Sequence, residues 1–215
     1  MDLDPMTGAP EAAEPPVPPA LVAARRLVAA EDEALLAARA RATPADRVPP
    51  PEVGALLAWA ATTCAARHVV EVGSAAGVTG LWLLTGMEER GVLTSVEPDP
   101  HLHGLATRSY DSAGVAERVR SIHGEPAEVL ERLSDGTYEL VLLQGDPAAY
   151  PAHLEHAVRL LKPGGMLLAR GVLPTDPADD PEGGLATFVA YLAEREDLAV
   201  TVLDVDGGLA LATVV

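Results

Sequence analysis

The feature that most constrains this chain is an apolar strand followed at once by a small-residue loop and a helix. The strand reads HVVEV from His68, the loop reads GSAAG, and a second strand, LTSVEPD, brings Glu97 to its carboxyl end. A glycine loop between strand and helix, with an acidic residue ending the next strand, is typical of half a nucleoside-binding α/β unit. This segment therefore predicts a sheet with a nucleoside ligand at its edge.

Strand and helix patterns alternate through the rest of the chain. Apolar runs predict strands at 68–72, 92–97, 118–122, 138–143 and 165–170. Helical patterns lie between and after them, at 77–89, 100–113, 125–134, 151–161 and 182–195. Strands separated by helices imply parallel pairing through right-handed crossovers.

The chain ends on two further strand patterns, LAVTVLDV and GLALATVV, separated by a short Asp-Gly-Gly turn. This arrangement predicts an antiparallel hairpin. The fold class is therefore α/β and Rossmann-like: a seven-stranded, mostly parallel sheet with a C-terminal antiparallel hairpin and helices on both faces.

The N-terminal third divides by composition. Residues 1–18 are rich in Pro, Ala and acidic residues, which predicts a disordered tail. Apolar positions at helical spacing then predict N-terminal helices within 19–66. Residues 67–215 form the ligand-binding part of one globular domain that spans 19–215.

Charge and hydropathy argue against several classes of partner. The net charge of −17 repels phosphate backbones, so we expect no nucleic-acid partner. No apolar run approaches the roughly 20 residues that span a bilayer, and the start of the chain lacks the basic and apolar regions of a signal peptide. We expect a cytoplasmic protein that does not bind membranes.

The glycine loop and the strand ends supply the candidate nucleoside ligands. Gly73 and Gly77 frame the strand-to-helix turn, where a side chain would obstruct a ligand approaching the backbone. Thr79 adds a hydroxyl in the first helical turn, and Glu97 is placed to accept hydrogen bonds from ribose hydroxyls. A third strand end, at Gly124 and Glu125, completes the set.

The loop favours an adenosyl cofactor over a dinucleotide. A dinucleotide fingerprint needs glycine where Ala75 stands and glycine or alanine where Val78 stands. The helix that follows presents free N–H groups to an anion, such as the carboxylate of a methionine moiety. We therefore predict S-adenosylmethionine, with S-adenosylhomocysteine as its product, and keep NAD as the weaker alternative.

From about Pro51 to its end the chain resembles the catechol and caffeoyl-CoA type O-methyltransferases, family 3 of the class I methyltransferases. The resemblance rests on VVEVGSAAGVTGLWLL, LTSVEPDP, GVAERVRSIHGEPAEVL, YELVLLQGDPAAYPAHLEHAVRLLKPGG and DVDGGLALA. It implies the class I methyltransferase fold and a homodimer, in which the helices within 20–42 would pack across the interface. The cofactor residues that it implies are Glu71, Gly73, Ser74, Thr79, Glu97 and Glu125.

The resemblance fails at the metal site. Family members chelate the acceptor through a divalent cation held by an Asp after the fourth strand and an Asp-Asn pair after the fifth. Those positions match Gln144, Arg170 and Gly171 in this chain. We therefore expect a divergent bacterial member with no divalent metal. Replacement ligands would have to come from the acidic loop residues Asp176, Asp179 and Asp180.

The candidate catalytic residues are Gln144, Asp146 and Arg170. We hypothesise that the Arg170 guanidinium takes the place of the cation and pairs with Asp146 or binds an anionic acceptor. Asp146 or His153 would then accept any proton, since arginine is no base at neutral pH. A purely structural Arg170–Asp146 ion pair remains the alternative. Three residues apart on a helix, His153 and His156 are expected at the surface.

The leading interpretation is an S-adenosylmethionine-dependent O-methyltransferase that acts on a small molecule without the family's metal. The first alternative is a cofactor-binding homologue without catalysis, acting as a regulator or partner subunit. The second, a tRNA-modifying methyltransferase, is disfavoured by the acidic balance and the lack of any Lys/Arg cluster.

Overall fold

The computed structural model describes residues 30–173, 180 and 183–215. The predicted tail at 1–18 and the first part of the N-terminal helices lie outside these residues. The first described helix, α1 (Glu33–Arg41), begins where the Asp32 side chain accepts a hydrogen bond from the Leu35 backbone N–H at 2.8 Å. In the described residues, no helix combines the length and apolar character needed to cross a membrane.

Helices and strands alternate after α1. Their bounds are α2 (Pro51–Thr63), β1 (His68–Val72), α3 (Val78–Gly86), β2 (Val92–Glu97), α4 (Pro100–Ser112), β3 (Val119–His123), α5 (Pro126–Glu131), β4 (Tyr138–Leu143), α6 (Tyr150–Leu160), β5 (Leu161–Arg170), α7 (Gly184–Glu194), β6 (Leu198–Leu203) and β7 (Leu209–Val214).

The elements predicted from residue 68 onward are all present, and several of their boundaries shift by one or two residues. β3 lies one residue later than predicted, α3 ends at Gly86 instead of 89, and α5 ends at Glu131 instead of 134. β5 begins at Leu161, four residues early, because Leu161 pairs with Tyr138 before the register shifts. The intervening Lys-Pro-Gly-Gly reads locally as a turn, so only strand pairing reveals this extension.

The strands form one seven-stranded sheet in the order β3-β2-β1-β4-β5-β7-β6. β1 to β5 pair in parallel, while β7 lies antiparallel between β5 and β6. This topology confirms the predicted mostly parallel sheet with a terminal hairpin. The strand order reverses between β1 and β4, and ligands of such sheets bind outside the carboxyl ends of the strands at that point.

Alternating strand residues build a hydrophobic core on each face of the sheet. Val69 and Leu140 pack with residues of α1 to α4 on one face. Their neighbours Val70 and Val141 pack with residues of α5 to α7 on the other. Because both faces are covered by helices, the strands are apolar on both sides, as parallel sheets require. The prediction of helices on both faces is confirmed.

Glu71 in β1 is a fully buried carboxyl group in the middle of this core. It accepts hydrogen bonds from the hydroxyls of Ser95 at 2.7 Å, Tyr110 at 2.8 Å and Thr79 at 2.9 Å. Desolvation by burial outweighs these hydrogen bonds and raises the pKa of Glu71 from 4.5 to about 7.

The raised pKa of Glu71 predicts a pH-dependent stability. The folded protein favours the protonated Glu71 carboxyl group. The contribution of this group to the free energy of unfolding is therefore fully present below pH 4.5 and is lost as the pH rises through 7. Glu71→Gln keeps the shape and removes the ionisation. We expect the variant to gain stability relative to the wild type between pH 5 and pH 8, measured by urea unfolding.

A matched control is Glu117→Gln, which changes the same charge at an exposed position. Its pH profile should run parallel to that of the wild type. A parallel profile for Glu71→Gln as well would show that the Glu71 carboxyl does not titrate with folding.

Candidate active site

A cavity of about 520 Å³ opens at the carboxyl ends of the strands, beside the point where the strand order reverses. Its walls come from the loops after β1 to β4, from α6 and from the segment before α2. The lining residues are Ala45, Asp46, Arg47, Val72, Gly73, Ser74, Ala75, Glu97, Pro98, Leu102, Glu125, Pro126, Gln144, Gly145, Asp146, Ala149, Tyr150 and His153.

Glycine is required at both loop positions because a side chain there would collide with other parts of the protein. Gly73 has φ +86°, and a Cβ there would lie 2.7 Å from the Gly145 nitrogen of the neighbouring loop. Gly77 has φ +90°, and its Cβ would lie 2.9 Å from Cβ of Ser109 in α4. The sequence interpretation, that a ligand needs both glycines, is corrected in its physical reason. Of the two, only Gly73 lines the cavity.

Glu97 lies in the cavity wall with 4% of its surface exposed. Its Oε2 accepts hydrogen bonds from the backbone N–H of Ser74 at 2.8 Å and from the Ser74 hydroxyl at 2.7 Å. Its Oε1 accepts one from the Asp99 N–H at 3.1 Å. A carboxylate oxygen has two lone pairs, so Oε1 keeps capacity for a ligand hydroxyl.

The structure divides the predicted cofactor residues into two groups. Gly73, Ser74, Glu97 and Glu125 line the cavity. The remaining four brace the loops from behind the lining: Glu71, Gly77, Thr79 and Gly124. The sequence cannot show which of these residues line the cavity and which brace it, because both groups lie in or next to the same short loops.

Gln144, directly after β4, links the β1 loop to β5. Its side-chain Nε2 donates hydrogen bonds to the Gly73 carbonyl at 2.6 Å and to the Thr79 hydroxyl. Its Oε1 accepts one from Arg170 Nη1 at 2.8 Å. Both ends of the carboxamide are therefore engaged within the protein, and the residue is buried.

The Arg170 guanidinium has an acceptor for each of its five N–H groups. Nε donates to the Asp206 carboxylate at 3.0 Å, and Nη2 donates to the same carboxylate. Each Nη atom also donates to the Arg47 carbonyl at 3.2 Å. The fifth N–H, on Nη1, donates to Gln144. The predicted pairing of Arg170 with Asp146 is wrong. The partner is Asp206, in the β6–β7 turn, which only the antiparallel pairing of β7 with β5 brings close.

Asp146 has a different local role. Its carboxylate accepts a hydrogen bond from the Ala148 N–H at 3.0 Å and caps the short 3₁₀ turn Pro147–Ala149. The side chain is exposed and lines the large cavity. It is therefore available to a ligand, while Arg170 is not.

The three positions of the family's metal ligands do not fit a hard divalent cation. Such a cation needs several free oxygen ligands, whereas the Gln144 oxygen binds Arg170, Arg170 is itself cationic and Gly171 has no side chain. Asp180 caps α7 through the N–H groups of Leu185 and Ala186. Asp176 and Asp179 lie outside the described residues. Within 30–173, 180 and 183–215, no cluster of three His, Cys, Asp or Glu residues could hold a metal ion.

His153 lines the large cavity and is 6% exposed, so the prediction of a surface position is wrong. The first turn of α6 faces the cavity, which helical spacing alone does not show. Its Nδ1 is buried without a hydrogen-bond partner in the described residues. Burial, and then His156, lower the pKa of His153, so the imidazole is neutral at neutral pH.

Beside the large cavity lies a smaller one of about 230 Å³. Arg47 and Gln144 line both, so the two cavities adjoin. The other residues of the smaller cavity are Val48, Pro147, Arg170, Gly171, Leu173, Leu185, Asp206 and Gly207. Sequence reasoning missed Arg47, because the segment before α2 carries no motif and comes to the site only through tertiary packing.

The large cavity is negatively charged. Four acidic side chains line it, against the single cation Arg47: Asp46, Glu97, Glu125 and Asp146. Opposite charges attract strongly in a partly desolvated cleft. The lining therefore suits a ligand that carries positive charge as well as hydroxyl groups.

Known proteins resemble this chain in sequence and in structure. A family model described as O-methyltransferase matches residues 29–214. A relative from Mycobacterium sp. (strain JLS), named for a proposed O-methyltransferase activity, is 40% identical over 201 residues, which cover 90% of this chain and 91% of that protein.

Solved structures agree. The O-methyltransferase TomG from Streptomyces achromogenes, involved in tomaymycin synthesis and solved with S-adenosylmethionine, superposes with a TM-score of 0.79 at 26% identity, covering 90% of this chain and 94% of TomG. Cofactor-bound Rv0187 from MTB superposes with a TM-score of 0.79 at 26% identity, covering 94% of this chain and 99% of Rv0187. By sequence and by fold, this chain belongs to the O-methyltransferase family.

Proposed function

We propose that this chain transfers a methyl group from S-adenosylmethionine to an oxygen of a small molecule, without a divalent metal. The observation that carries the proposal is the pair of adjoining cavities that share Arg47 and Gln144. The large acidic cavity suits the cationic donor, and the smaller one next to it suits an acceptor. The related enzyme TomG, solved with S-adenosylmethionine, supports the choice of donor.

The residues around the large cavity fit an adenosyl group. Glu97 has a free acceptor site for ribose hydroxyls, and Gly73 and Ser74 present the loop backbone beside it. The buried Nδ1 of His153 lacks a partner in the described structure and could form a hydrogen bond with a ligand. When bound, the sulfonium of the donor supplies an activated methyl group.

The chain's own groups then position the reactants and take up a proton. Asp146, exposed in the cavity, and neutral His153 are the candidate proton acceptors. Gln144 and Arg170 touch neither proton acceptor through the hydrogen bonds described above. They act as positioning residues that fix the wall between the two cavities.

The donor chemistry of the site supports the proposed metal independence. In the related enzymes a cation lowers the acceptor pKa and holds it in place. Here the Arg170 guanidinium already satisfies Asp206, Gln144 and the Arg47 carbonyl. Direct displacement at a sulfonium gains much of its rate from positioning and desolvation, which need no metal.

A small-molecule acceptor, a homodimer and a cytoplasmic location remain predictions. The same holds for the alternative of a cofactor-binding regulator without catalysis, which no feature of the site favours. The acidic composition continues to disfavour a tRNA substrate.

Methyl transfer is the first test. Purified protein is incubated with radiolabelled S-adenosylmethionine and pools of phenolic, hydroxamate and carboxylate acceptors, with and without EDTA. We expect labelled product whose rate of formation changes less than twofold with EDTA or added Mg²⁺. Turnover that EDTA abolishes contradicts metal independence, and cofactor binding without any turnover favours the regulator.

Glu97→Ala tests the donor site. Loss of hydrogen bonds between a carboxylate and ribose hydroxyls is expected to weaken binding of S-adenosylhomocysteine about 10- to 100-fold, measured by isothermal titration calorimetry. Glu117→Ala, at an exposed position, removes the same charge and should leave the affinity unchanged. Equal affinities for both variants would place the ribose elsewhere.

Arg170→Ala tests the set of hydrogen bonds by which Arg170 links Asp206, Gln144 and the Arg47 carbonyl, called here the cross-link. The change leaves Asp206, the buried Gln144 oxygen and the Arg47 carbonyl without the donors of Arg170, so we expect a loss of unfolding free energy near the lower end of roughly 3–5 kcal/mol, because Asp206 keeps 22% exposure. Arg132→Ala breaks an exposed pair with Glu128 and should cost at most about 0.5 kcal/mol. Urea unfolding measures both, and equal losses would show that Arg170 is not structural.

A further inference from the structure

Arg47 has a backbone conformation that is rare for a long side chain. Its φ is +50°, in the left-handed region that favours glycine. Its carbonyl accepts hydrogen bonds from both Nη atoms of Arg170, each at 3.2 Å. These bonds hold the backbone in place, so the position from which the Arg47 side chain projects is fixed.

Among the described residues, the Arg47 side chain has no partner. It is exposed, and no hydrogen bond or ion pair joins its guanidinium to another side chain in the described part of the chain. Acidic residues outnumber basic ones by 32 to 15 in the whole sequence. A guanidinium between two cavities, with no carboxylate partner among residues 30–173, 180 and 183–215, has donors that a ligand can use.

The other polar side chains of the smaller cavity bind one another. Each Arg170 N–H and both ends of the Gln144 carboxamide are engaged, and Asp206 accepts from Arg170 through Oδ2. The remaining side-chain walls are apolar and come from Val48, Pro147, Leu173 and Leu185. A ligand in this cavity therefore meets apolar surface, the Arg170–Asp206 ion pair and the Arg47 guanidinium.

The size of the cavity limits the ligand. At about 230 Å³ it is smaller than the roughly 300–1,000 Å³ of sites for drug-sized molecules. An acceptor that fits is small, with an apolar body. A planar guanidinium with free donors binds a carboxylate through two parallel hydrogen bonds.

We propose that Arg47 binds the carboxylate of a small acceptor whose apolar body fills the smaller cavity. The inference rests on the proposed methyl transfer, since it assigns the acceptor site of that reaction. It gives Arg47 the anion-binding role that the sequence suggested for Arg170, whose donors are all engaged.

Ligand-observed NMR with protein saturated in S-adenosylhomocysteine tests the inference. The probes are small monocarboxylic acids, including benzoate, 4-hydroxybenzoate, 3-phenylpropionate and hexanoate, each paired with its primary amide. We expect at least one acid to bind about tenfold more tightly than its amide. Preference for no acid, or no binding at all, overturns the proposal.

Two variants assign the preference to Arg47. Arg47→Gly removes the guanidinium and suits the φ of +50°, so it should fold as well as the wild type and lose the preference for acids. Arg47→Lys should keep part of it. Arg90→Gln, which removes an exposed cation distant from both cavities, should keep all of it. An unchanged preference in Arg47→Gly overturns the proposal.

Calorimetry with S-adenosylhomocysteine alone separates this inference from the proposed function. We expect Arg47→Gly to bind this ligand as the wild type does. A tenfold loss would show that Arg47 serves the cofactor's carboxylate, which overturns the acceptor assignment. If the wild type fails to bind it, the proposed function fails instead.

Discussion

The architecture of the site depends on the buried guanidinium of Arg170. It joins the end of β5 to the β6–β7 turn through Asp206, to the segment before α2 through the Arg47 carbonyl, and to the β4 loop through Gln144. Burying a cation is costly unless its charge and all its donors are satisfied. Here five donors meet three acceptor groups, so this arrangement of four chain segments is strongly specified.

Gln144 extends this link into the donor site. Its amide nitrogen holds the Gly73 carbonyl and the Thr79 hydroxyl, and Thr79 in turn donates to the buried carboxyl of Glu71. A hydrogen-bonded path therefore runs from the sheet interior, behind the glycine loop, to Arg170. Such a network resists displacement of any one member, because a buried polar group without a partner is costly. The wall between the cavities is rigid for this reason.

The cross-link also separates charge across the site. It engages Arg170, Gln144 and Asp206 in the smaller cavity and leaves the Arg47 guanidinium without a partner among the described residues, whereas four carboxylates line the larger cavity. A cationic methyl donor and an anionic acceptor would each meet the opposite charge. At positions that the family resemblance assigns to metal ligands, this chain has Gln144 and Arg170, and both side chains are hydrogen-bonded within the protein.

Local pattern determined most of the fold. The alternation of apolar strands with helical segments, and the Asp-Gly-Gly turn, specify the sheet, because burial on both faces leaves few other solutions. The early start of β5 escaped this reasoning, since Lys-Pro-Gly-Gly has the local properties of a turn and pairs with β4 only in context. For the same reason, the position of His153 in a cavity wall could not be read from the spacing of α6.

By itself, the sequence determined that a glycine loop and Glu97 lie at the carboxyl edge of a parallel sheet, because strand, loop and helix are local and strand ends meet at one edge. Together with the family resemblance, it also indicated that the usual metal ligands are replaced. Only the tertiary structure decided what replaces them. Asp206 and Arg47 are distant in sequence from Arg170 and carry no motif, and their meeting depends on β7 lying beside β5 and on how the segment before α2 packs over the site.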